Sequence, residues 1–428
     1  MKQVPEPQLR FKSWLLPALV ALLLMLQLAT PYQSWKILLV GLGGLWLVNY
    51  LWARSLARGL RLTREMRFGW VHVGDLMLER FTLTNDGWWP ALWIKTADHS
   101  TLPGYETNRV TGVRGRWSIG WHKEAVCTRR GLFTLGPTSL RTGDPFGLYT
   151  VALHYPESLP IMVLPPIVPL PTIKVAAGGR VGEGPPRPDA LERTVSAASV
   201  REYRPGDSLR WIHWLTSARR DSLFVRLFDG APASDCWILL DVNRHVQAGE
   251  GSNATEEHAV ILAASLANRG LQSGQAVGFA AHGEELVWLP PQEGEGQRWE
   301  ILRALALVSL GSLSLAELLA RIQPSLGLHT SLVIITPDVD GDWVEALVPL
   351  LQRGAIPTVL LLDPNSFGGT GDLSRTESPL THLGVAHSVI TRDLLDRPAA
   401  HLVRGTRWTA TAHQPRDVAW KPSLQRES

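Results

Sequence analysis

Two uncharged apolar runs near the N-terminus constrain the fold more than any other feature of the sequence. The first is WLLPALVALLLMLQLAT, residues 14–30, and the second is ILLVGLGGLWLVNYLWA, residues 37–53. Each run is near the lower length limit of a membrane-spanning helix, and Phe11, Tyr32 and Trp35 extend the apolar surface toward the interface. Two such runs joined by a short polar turn predict a transmembrane helical hairpin over residues 1–60.

The charges around these runs predict an orientation for the hairpin. The basic residues that follow the second run are Arg54, Arg58, Arg61, Arg64 and Arg67, whereas the connecting turn carries only Lys36. Because basic residues concentrate on the cytoplasmic side, both ends of the hairpin and the soluble domains are expected in the cytoplasm, as parts of a multi-pass protein of the inner membrane. A signal peptide fits less well, since a small-residue cleavage site is missing and a second apolar run follows at once.

Composition excludes some classes of partner and site. The 428 residues carry a net charge of only +3, so no overall electrostatic field favours nucleic acid as a partner. The two cysteines, Cys127 and Cys236, are far apart and lack the spacing of a structural zinc site. A chain of this length has room for two or three domains.

Residues 66–170 show short alternating runs separated by turn signals, which predict a small β-sandwich-like domain. The clearest stretch is RRGLFTLGPTSLRTGDPFGLY, residues 129–149. Asp144 is expected to close a turn on its own backbone, with Gly147 supplying backbone freedom. A binding role for the turn at residues 144–149 is the alternative. The Gly- and Pro-rich residues 171–200 that follow are interpreted as a linker.

The stretch REYRPGDSLRWIHWLTSARRDSLFVRLFD, residues 201–229, concentrates arginine and tryptophan. Asp207 is placed to cap a helix that begins at Ser208, and LFVRLFD alternates as a strand. Arginine does not lose its proton at ordinary pH, so the stretch offers no general base beyond His213. We interpret it as a polar clamp against a neighbouring domain, or else as a binding face for a partner.

Residues 230–395 alternate between apolar strands and amphipathic helices. The runs CWILLDVN, QAVGFAAHG, SLVIITPDVD and PTVLLLDP are predicted strands. The predicted helices are ATEEHAVILAASLANRG, EGQRWEILRALALV, LSLAELLARI and WVEALVPLLQRG. Such alternation is typical of an α/β doubly wound sheet, whose ligands bind at the carboxyl ends of the strands. The weakly periodic residues 396–428 are expected to form a flexible tail.

The chain resembles a known family in two blocks. EYRPGDSLRWIHWLTSARR is similar to the signature of the bacterial domain-of-unknown-function family 58 (DUF58), whose members pair it with an N-terminal membrane hairpin. The residues that carry this resemblance are Tyr203, Gly206, Asp207, Arg210, Trp214, Ala218 and Arg219. The stretch at residues 129–149 resembles the family's second block through Arg130, Gly131, Gly136, Asp144, Pro145, Phe146 and Gly147. The resemblance implies a C-terminal von Willebrand factor A-like domain. It also implies two partners, a MoxR-type AAA+ ATPase and a transglutaminase-like membrane protein.

A von Willebrand factor A metal site normally begins Asp-x-Ser-x-Ser, whereas this chain reads Asp241-Val242-Asn243-Arg244-His245. With Asp338 from a later loop, the residues Asp241, Asn243 and His245 would form at most a degenerate site. A histidine nitrogen is a poor magnesium ligand, and Arg244 is expected to bring a positive charge beside the ion. The sequence therefore predicts no cofactor, with Mg²⁺ as the alternative.

Three functions are compatible with these features. The favoured one is a membrane-anchored scaffold or adaptor, not an enzyme, that acts with a cytoplasmic AAA+ ATPase and contacts the lipid bilayer. The alternatives are a metal-dependent binding module of the von Willebrand A type and an uncharacterised hydrolase. The sequence lacks a Gly-x-Ser-x-Gly elbow, a His-Glu-x-x-His helix and a Walker loop, which weighs against a hydrolase of those types.

Overall fold

The computed structural model describes residues 6–66, 68–170, 197–203, 212, 214–220, 222–228, 235–327 and 330–395. The residues Gly206, Asp207, Arg210 and His213 of the DUF58-like stretch, and the tail at residues 396–428, lie outside this description.

The N-terminal hairpin is continuous with β-structure at both of its ends. Strand β1 (Glu6–Phe11) leads into α1 (Leu15–Ala29), and α2 (Gln33–Gly59) leads directly into β2 (Leu60–Met66). By length and composition α2 is the one described helix that could cross a membrane, while α1 is apolar but shorter. The second helix begins four residues earlier and ends six residues later than the predicted span at residues 37–53. One side of its last two turns, with Ala53 and Leu56, is buried against the β domain.

Strands β1 to β11 form one β domain. After β2, its strands are β3 (Trp70–His72), β4 (Leu76–Asn85), β5 (Ala91–Asp98), β6 (Arg109–Val113), β7 (Trp117–Val126), β8 (Gly131–Leu135), β9 (Thr138–Gly143), β10 (Tyr149–Tyr155) and β11 (Leu159–Leu164). They make three sheets in the orders β1-β10-β9-β5-β6, β2-β4-β7 and β3-β11-β8. Alternate side chains of β4 and β10 are buried, so the inner faces of the sheets share a core, as in a sandwich.

The hairpin is inserted into this β domain rather than placed before it. Strand β1 pairs antiparallel with β10, from Glu6 opposite His154 to Phe11 opposite Tyr149, and β2 pairs with β4. The domain boundary predicted at residue 66 is therefore wrong, since the domain also contains residues 6–11 and 60–66. Local alternation could not reveal this, because the partner of β1 lies far along the chain.

The strand registers give the β domain two distinct ends. The first, which we call the hairpin end, comprises residues 12–14, 59–60, 85–90, 113–117 and 143–149, because these segments start or finish strands that are paired side by side. The opposite end, which we call the clamp end, comprises residues 70–75, 127–131 and 164–166, where β3, β8 and β11 meet the α/β domain. The β domain thus separates the hairpin from the α/β domain.

The described part of the DUF58-like stretch forms a small β-α-β unit. Strand β12 (Ala197–Glu202) pairs antiparallel with β13 (Phe224–Phe228), and α3 (Trp214–Arg220) lies between them in the chain. The predicted strand LFVRLFD is thus present. The linker predicted for residues 171–200 overlaps this unit at residues 197–200, which hydrogen-bond to β13 as part of β12.

The C-terminal domain is a six-stranded sheet with helices on both faces. Its strands are β14 (Cys236–Leu240), β15 (Val277–His282), β16 (Leu286–Gln292), β17 (Ser331–Thr336), β18 (Ile356–Leu362) and β19 (Ala386–Ile390). Its helices are α4 (Thr255–Gln272), α5 (Glu295–Leu307), α6 (Leu315–Ile322), α7 (Val348–Gln352) and α8 (Ser374–His382). Helices α4 and α5 cover one face of the sheet, and α6 with α7 covers the other.

The order of this sheet is β16-β15-β14-β17-β18-β19, and every neighbouring pair is parallel except β15 with β16. The predicted alternation of strands and helices is therefore present, with an antiparallel strand at one edge. The stretch WVEALVPLLQRG departs from its prediction as one helix, since Asp342–Leu347 is a 3-10 helix that precedes α7.

Candidate functional site at the sheet switch point and the domain junction

Strands β14 and β17 lie at the centre of the sheet, where the chain reverses the direction in which strands are added. If the six strands are numbered 1 to 6 in chain order from β14, their order across the sheet is 3-2-1-4-5-6. In sheets of this order, ligands bind in the crevice outside the carboxyl ends of strands 1 and 4, where the order reverses. Asp241 follows β14, and Thr336 ends β17. The sheet thus brings together the two loops in which the sequence placed a degenerate metal site.

Asp241 is the buried centre of this switch point. Its Oδ2 accepts a hydrogen bond of 2.6 Å from Thr336 Oγ1, and its Oδ1 accepts one of 3.0 Å from the backbone N–H of Asn243. Burial raises the pKa of Asp241 to about 6, although both hydrogen bonds act in the opposite direction. This carboxyl group therefore titrates close to neutral pH.

The remaining predicted ligands are held by their own loops. Asn243 Oδ1 accepts from the His245 backbone N–H at 3.1 Å, and Asp338 Oδ1 accepts from the Asp340 backbone N–H at 3.0 Å. The backbone N–H of Asp338 also donates to Thr336 Oγ1, at 2.9 Å. Burial is the main cause that raises the pKa of Asp338. These loops are thus ordered by hydrogen bonds between side-chain oxygens and backbone amides, as in Asx turns.

Arg244 does not lie beside the Asp241 carboxylate, contrary to the expectation from sequence. Its guanidinium group donates to the carbonyl oxygens of Gly311, at 3.1 Å, and Leu310, at 3.5 Å. The loop after β14 is thereby joined to the loop after α5, and Asn243 also bridges to Gly311. Arg244 is a tie between two loops of the sheet edge.

The donor set at the switch point does not fit a resident magnesium ion. Both carboxylate oxygens of Asp241 accept hydrogen bonds from protein groups, and the hydroxyl hydrogen of Thr336 is directed at one of them. Within the described ranges, no group of three or more His, Cys, Asp or Glu side chains is arranged to hold a metal ion. Magnesium requires near-octahedral oxygen coordination, which these hydrogen-bonded oxygens do not offer.

A large groove lies next to the switch point, between the β domain and the α/β domain. Its volume is about 1330 Å³, and its charged lining residues include Arg129, Arg130, Arg244, Glu256, Glu257 and Glu284. The groove therefore combines both signs of charge at a domain junction, a place where ligand sites commonly occur.

Arg130 fixes this junction. The side chain is 5% exposed, and its guanidinium group pairs with Glu256 at 2.6 Å and also with Glu257. It further donates to the carbonyl oxygens of Leu305 and Val308, at 3.1 Å each. One arginine thus binds two carboxylates at the start of α4 and two carbonyls at the end of α5. Both are positions where a helix leaves charge or backbone groups uncompensated.

Further contacts support the Arg130 clamp. The backbone N–H of Val168 donates to Ser265 Oγ at 3.0 Å, and the rings of Trp70 and Trp299 meet edge to face at 5.1 Å. The chain between β11 and the described end at residue 170 therefore lies on α4. The junction thus combines a buried polar centre with apolar contacts beside it, the reverse of the common interface with an apolar core and a polar rim.

The second sequence block reaches from this clamp to the hairpin end. At its distal turn, Asp144 accepts hydrogen bonds from the backbone N–H groups of Phe146 and Leu148 at 3.1 Å, and of Tyr149 at 2.5 Å. Gly147 takes a φ of +72°, which suits glycine. The carboxylate of Asp144 is buried in making this turn, whereas Pro145 and Phe146 are exposed at its tip.

The other residues of the second block occupy β8 and the bend that follows it. Gly131 begins β8, and Gly136 lies between β8 and β9 with a φ of +97°. A Cβ atom at Gly136 would lie 2.9 Å from the Glu157 carbonyl oxygen, so glycine is required there for packing as well. The block is thus a continuous structural element with Arg130 at one end and Phe146 at the other.

The described part of the DUF58-like stretch presents an exposed surface. The backbone N–H of Tyr203 donates to the Leu223 carbonyl at 2.7 Å, and Ser217 Oγ accepts from the Phe224 backbone N–H at 2.8 Å. The first bond continues the pairing of β12 with β13, and the second joins α3 to β13. Trp214, Ala218 and Arg219 are exposed. A clamp between domains is observed at Arg130, outside this stretch. The clamp or binding face expected at residues 201–229 stays a prediction, because Asp207 and Arg210 lie outside the described residues.

Both cysteines are free and buried. Burial raises the pKa of Cys127 and of Cys236 to about 11, so each is a neutral thiol at ordinary pH.

Sequence reasoning missed the partners of two arginines. Glu256 and Glu257 could be recognised only as acids in the first turn of a helix, which is where they favour the helix dipole. Arg64, which we counted among the charges that orient the hairpin, is buried and paired with Glu79 at 2.6 Å and Asp98 at 3.2 Å. Arg64 is therefore part of the β-domain core and not a free basic charge beside a membrane.

Comparison with known proteins finds a family whose model matches part of the chain. The family model described as "Protein of unknown function DUF58" matches residues 199–367. The chain is 27% identical over 259 residues to the uncharacterized protein YeaD of Bacillus subtilis (strain 168), a match that covers 58% of this chain and 63% of that protein. It is 24% identical over 174 residues to the uncharacterized protein Rv1480 of Mycobacterium tuberculosis (strain ATCC 25618 / H37Rv), covering 38% of this chain and 54% of that protein. The chain thus spans less than two thirds of either relative.

Solved structures with some likeness to the chain include two isolated domains. The SpRpn10 VWA domain has a TM-score of 0.28 and 9% identity, over 37% of this chain and 89% of that one. The CARDB domain of the PF1109 protein from Pyrococcus furiosus has a TM-score of 0.18 and 12% identity, over 25% of this chain and 90% of that one. The family match contains the stretch at residues 202–220 that carried the sequence resemblance, which is thereby confirmed. The chain is therefore similar to the DUF58 family over residues 199–367.

Proposed function

We propose that this chain is a membrane-anchored adaptor that holds an α/β binding domain at a fixed distance from the inner membrane. The observation that supports this most directly is the insertion of the hairpin into the β domain. Because β1 and β2 belong to the same domain, α1 and α2 leave and re-enter on one side, and a spanning α2 requires α1 to cross as well. The result is a two-helix anchor with both ends on one face of the bilayer.

The charges at the base of the hairpin support a cytoplasmic orientation. Arg54 and Arg58 are exposed on the last turns of α2, whereas the connecting turn carries only Lys36. Removing the buried Arg64 from this count weakens the bias but leaves its sign unchanged. Under the positive-inside rule, the β and α/β domains then lie in the cytoplasm.

The partner that we propose is a MoxR-type AAA+ ATPase, as the family resemblance implies, with a transglutaminase-like membrane protein as a second partner. A surface for such a protein is available on α3, where Trp214 is 68% exposed and Arg219 is also exposed. Tryptophan and arginine are the side chains that most often dominate protein interfaces. The Arg130 clamp would keep the adjoining α/β domain in place while a partner is bound.

A binding measurement with the purified proteins tests this proposal. The full chain in nanodiscs would be mixed with the MoxR-type ATPase of the same organism, with and without ATP, and binding would be measured by interferometry. Trp214→Ala should weaken binding at least about 30-fold, as removal of a central interface tryptophan worth about 2 kcal/mol would do. Leu286→Ala is the control, since Leu286 is an apolar side chain of the α/β domain that is 45% exposed. Absence of any binding by the unaltered chain would refute the ATPase partner, and equal effects of the two variants would refute the α3 surface.

A further inference from the structure

The hairpin end of the β domain carries exposed aromatic side chains that the anchor itself does not explain. Trp14, Trp88, Trp117 and Phe146 are between 64% and 76% exposed, and they come from four separate segments. Strand registers bring these segments to one end, since Phe11 pairs with Tyr149, Asn85 with Trp117, and Ala91 with Val113. Four large apolar side chains thus surround the base of the two helices.

Two of these aromatic groups are held in place by their loops. The Arg116 guanidinium carbon lies 3.5 Å from the centroid of the Trp88 ring, and Arg116 adopts a left-handed φ of +53° to reach it. Phe146 stands at the tip of the turn that Asp144 closes. A backbone held in a rarely populated conformation for an exposed contact indicates a surface with a function.

The charge at this end is predominantly positive. The hairpin end, taken together with the adjoining residues 54–58 of α2 and Arg61 of β2, contains six basic residues and two acidic ones. The basic residues are Lys12, Arg54, Arg58, Arg61, Arg114 and Arg116, and the acidic ones are Asp86 and Asp144. Asp144 is buried in its turn, and Asp86 pairs with Arg61. The exposed charge that remains is complementary to anionic lipid headgroups.

The length of the helices brings this end close to a bilayer. Helix α1 has 15 residues, about 22 Å at 1.5 Å per residue. In α2, Trp46 Nε1 already donates to the Tyr149 hydroxyl of β10 at 2.8 Å, so 13 residues, about 20 Å, project beyond the β domain. A hydrocarbon core is about 30 Å thick, and a short span is accommodated by drawing its flanking residues into the interface.

From these observations we infer that the hairpin end is a lipid-binding collar, in which Trp14, Trp88 and Phe146 insert into the headgroup region of an anionic bilayer and the exposed arginines contact its phosphates. The inference rests on the proposed membrane anchor and extends it, because the β domain then lies on the membrane instead of hanging from a flexible tether. Aromatic side chains with one apolar and one polar side are the groups that favour this region.

Depth measurement by spin labelling tests the collar on the full chain. Single cysteines would be introduced by Trp88→Cys and Phe146→Cys in liposomes of phosphatidylglycerol and phosphatidylcholine. Native Cys127 and Cys236 are buried thiols that react slowly. Leu22→Cys, in α1, reports on the anchor, and Leu132→Cys, at 56% exposure in β8, is the control for water. We expect probes at residues 88 and 146 to be severalfold less accessible to an aqueous nickel reagent than the probe at 132, and more accessible to oxygen.

The outcomes separate the collar from the anchor. If the probe at residue 22 lies in lipid while those at 88 and 146 match the probe at 132, the collar is refuted and the anchor stands. If the probe at residue 22 is in water, both are refuted. Probes at 88 and 146 that lose nickel access without gaining oxygen access are covered by protein, such as a second copy of this chain, which also overturns the collar.

A second arm tests the charge. The variant with Arg58→Gln and Arg114→Gln should lose preference for spin-labelled phosphatidylglycerol over phosphatidylcholine. The loss should be up to about fivefold per removed charge, the factor that corresponds to about 1 kcal/mol for a basic side chain beside anionic headgroups. Arg129→Gln, at the clamp end, should leave the preference unchanged. Equal preference in all three proteins would refute the electrostatic part of the collar.

Discussion

The two ends of the β domain use arginine in opposite ways. At the clamp end, Arg130 is buried and every contact of its guanidinium group crosses to the α/β domain. At the hairpin end, Arg54, Arg58, Arg114 and Arg116 are exposed. A buried, fully compensated arginine fixes one geometry, whereas exposed arginines create a field that any anionic surface can use. The same residue type thus joins two domains at one end and is available to a ligand at the other.

The second sequence block connects these two uses. It begins with Arg130 at the clamp and ends with the Asp144 turn that presents Phe146 beside the hairpin. Strands β8 and β9 between them run the length of the domain. A change in the orientation of β8 would therefore move both ends, so the block is suited to set the distance between the hairpin and the α/β domain.

The largest effect should follow from breaking the clamp. Arg130→Met leaves Glu256 and Glu257 without their cation, and we expect the free energy of unfolding to fall by about 3–4 kcal/mol. Breaking a buried ion pair usually costs about 3–5 kcal/mol. We expect the lower part of that range because Glu256 and Glu257 are 19% and 26% exposed and can be partly hydrated. The measurement is denaturant unfolding of the full chain in detergent, with one probe in the β domain and one in the α/β domain. In Arg130→Met the two domains should unfold in separate transitions, whereas in the unaltered chain they should unfold together.

Arg129→Met is the control for the clamp, because Arg129 is the exposed neighbour of Arg130. It should change the free energy of unfolding by less than about 0.5 kcal/mol. Equal transitions in Arg130→Met and the unaltered chain would show that the apolar contacts of Trp70 and Val168 suffice to hold the domains together.

The next effect concerns a buried charge that has only neutral partners. Asp241 accepts from a hydroxyl and an amide, unlike Arg130, and burial raises its pKa from 3.8 to about 6. The folded state therefore favours the protonated form. The contribution of Asp241 to the free energy of unfolding is fully present below pH 3.8 and falls as the pH rises. It is lost above about pH 6, a total change of about 3 kcal/mol.

Asp241→Asn should remove this pH dependence. The difference in unfolding free energy between variant and unaltered chain, measured from pH 4 to pH 7.5, should change by about 2.5 kcal/mol in favour of the variant as pH rises. A difference that stays constant with pH would mean that the carboxyl group is ionised throughout, with a cation or a solvent path that compensates it.

At the hairpin end, the Asp144 turn should have a smaller effect than the clamp. Asp144→Ala removes the acceptor for three backbone N–H groups, two of which become solvated when the turn opens. We expect a loss of about 2 kcal/mol in unfolding free energy, and a smaller loss for Asp144→Asn, which retains one acceptor oxygen. Chemical denaturation checks both. Identical losses would indicate that charge, and not acceptor geometry, holds the turn.

How far the sequence predicts this molecule depends on the range of each interaction. The Asp144 turn, the apolar helices and the alternation in the α/β domain are local patterns, and all are recognisable from neighbouring residues. The pairing of β1 with β10 and of Arg130 with Glu256 joins residues more than a hundred positions apart. Many charged residues could serve equally well as such partners, so charge type alone does not select one. For the same reason Arg64 was mistaken for a free charge beside the hairpin.

The smallest effect on stability should come from the exposed ion pair at the hairpin end. Arg61 and Asp86 lie 3.3 Å apart with both side chains more than half exposed. Since water and salt screen such a pair, Asp86→Asn should change the unfolding free energy by less than about 0.5 kcal/mol. Yet it releases Arg61 to the surface, so the preference for phosphatidylglycerol should rise while Arg130→Met leaves that preference unchanged. A loss of stability above about 1 kcal/mol, with no gain in lipid preference, would mean that the hairpin end uses its charges internally as the clamp end does.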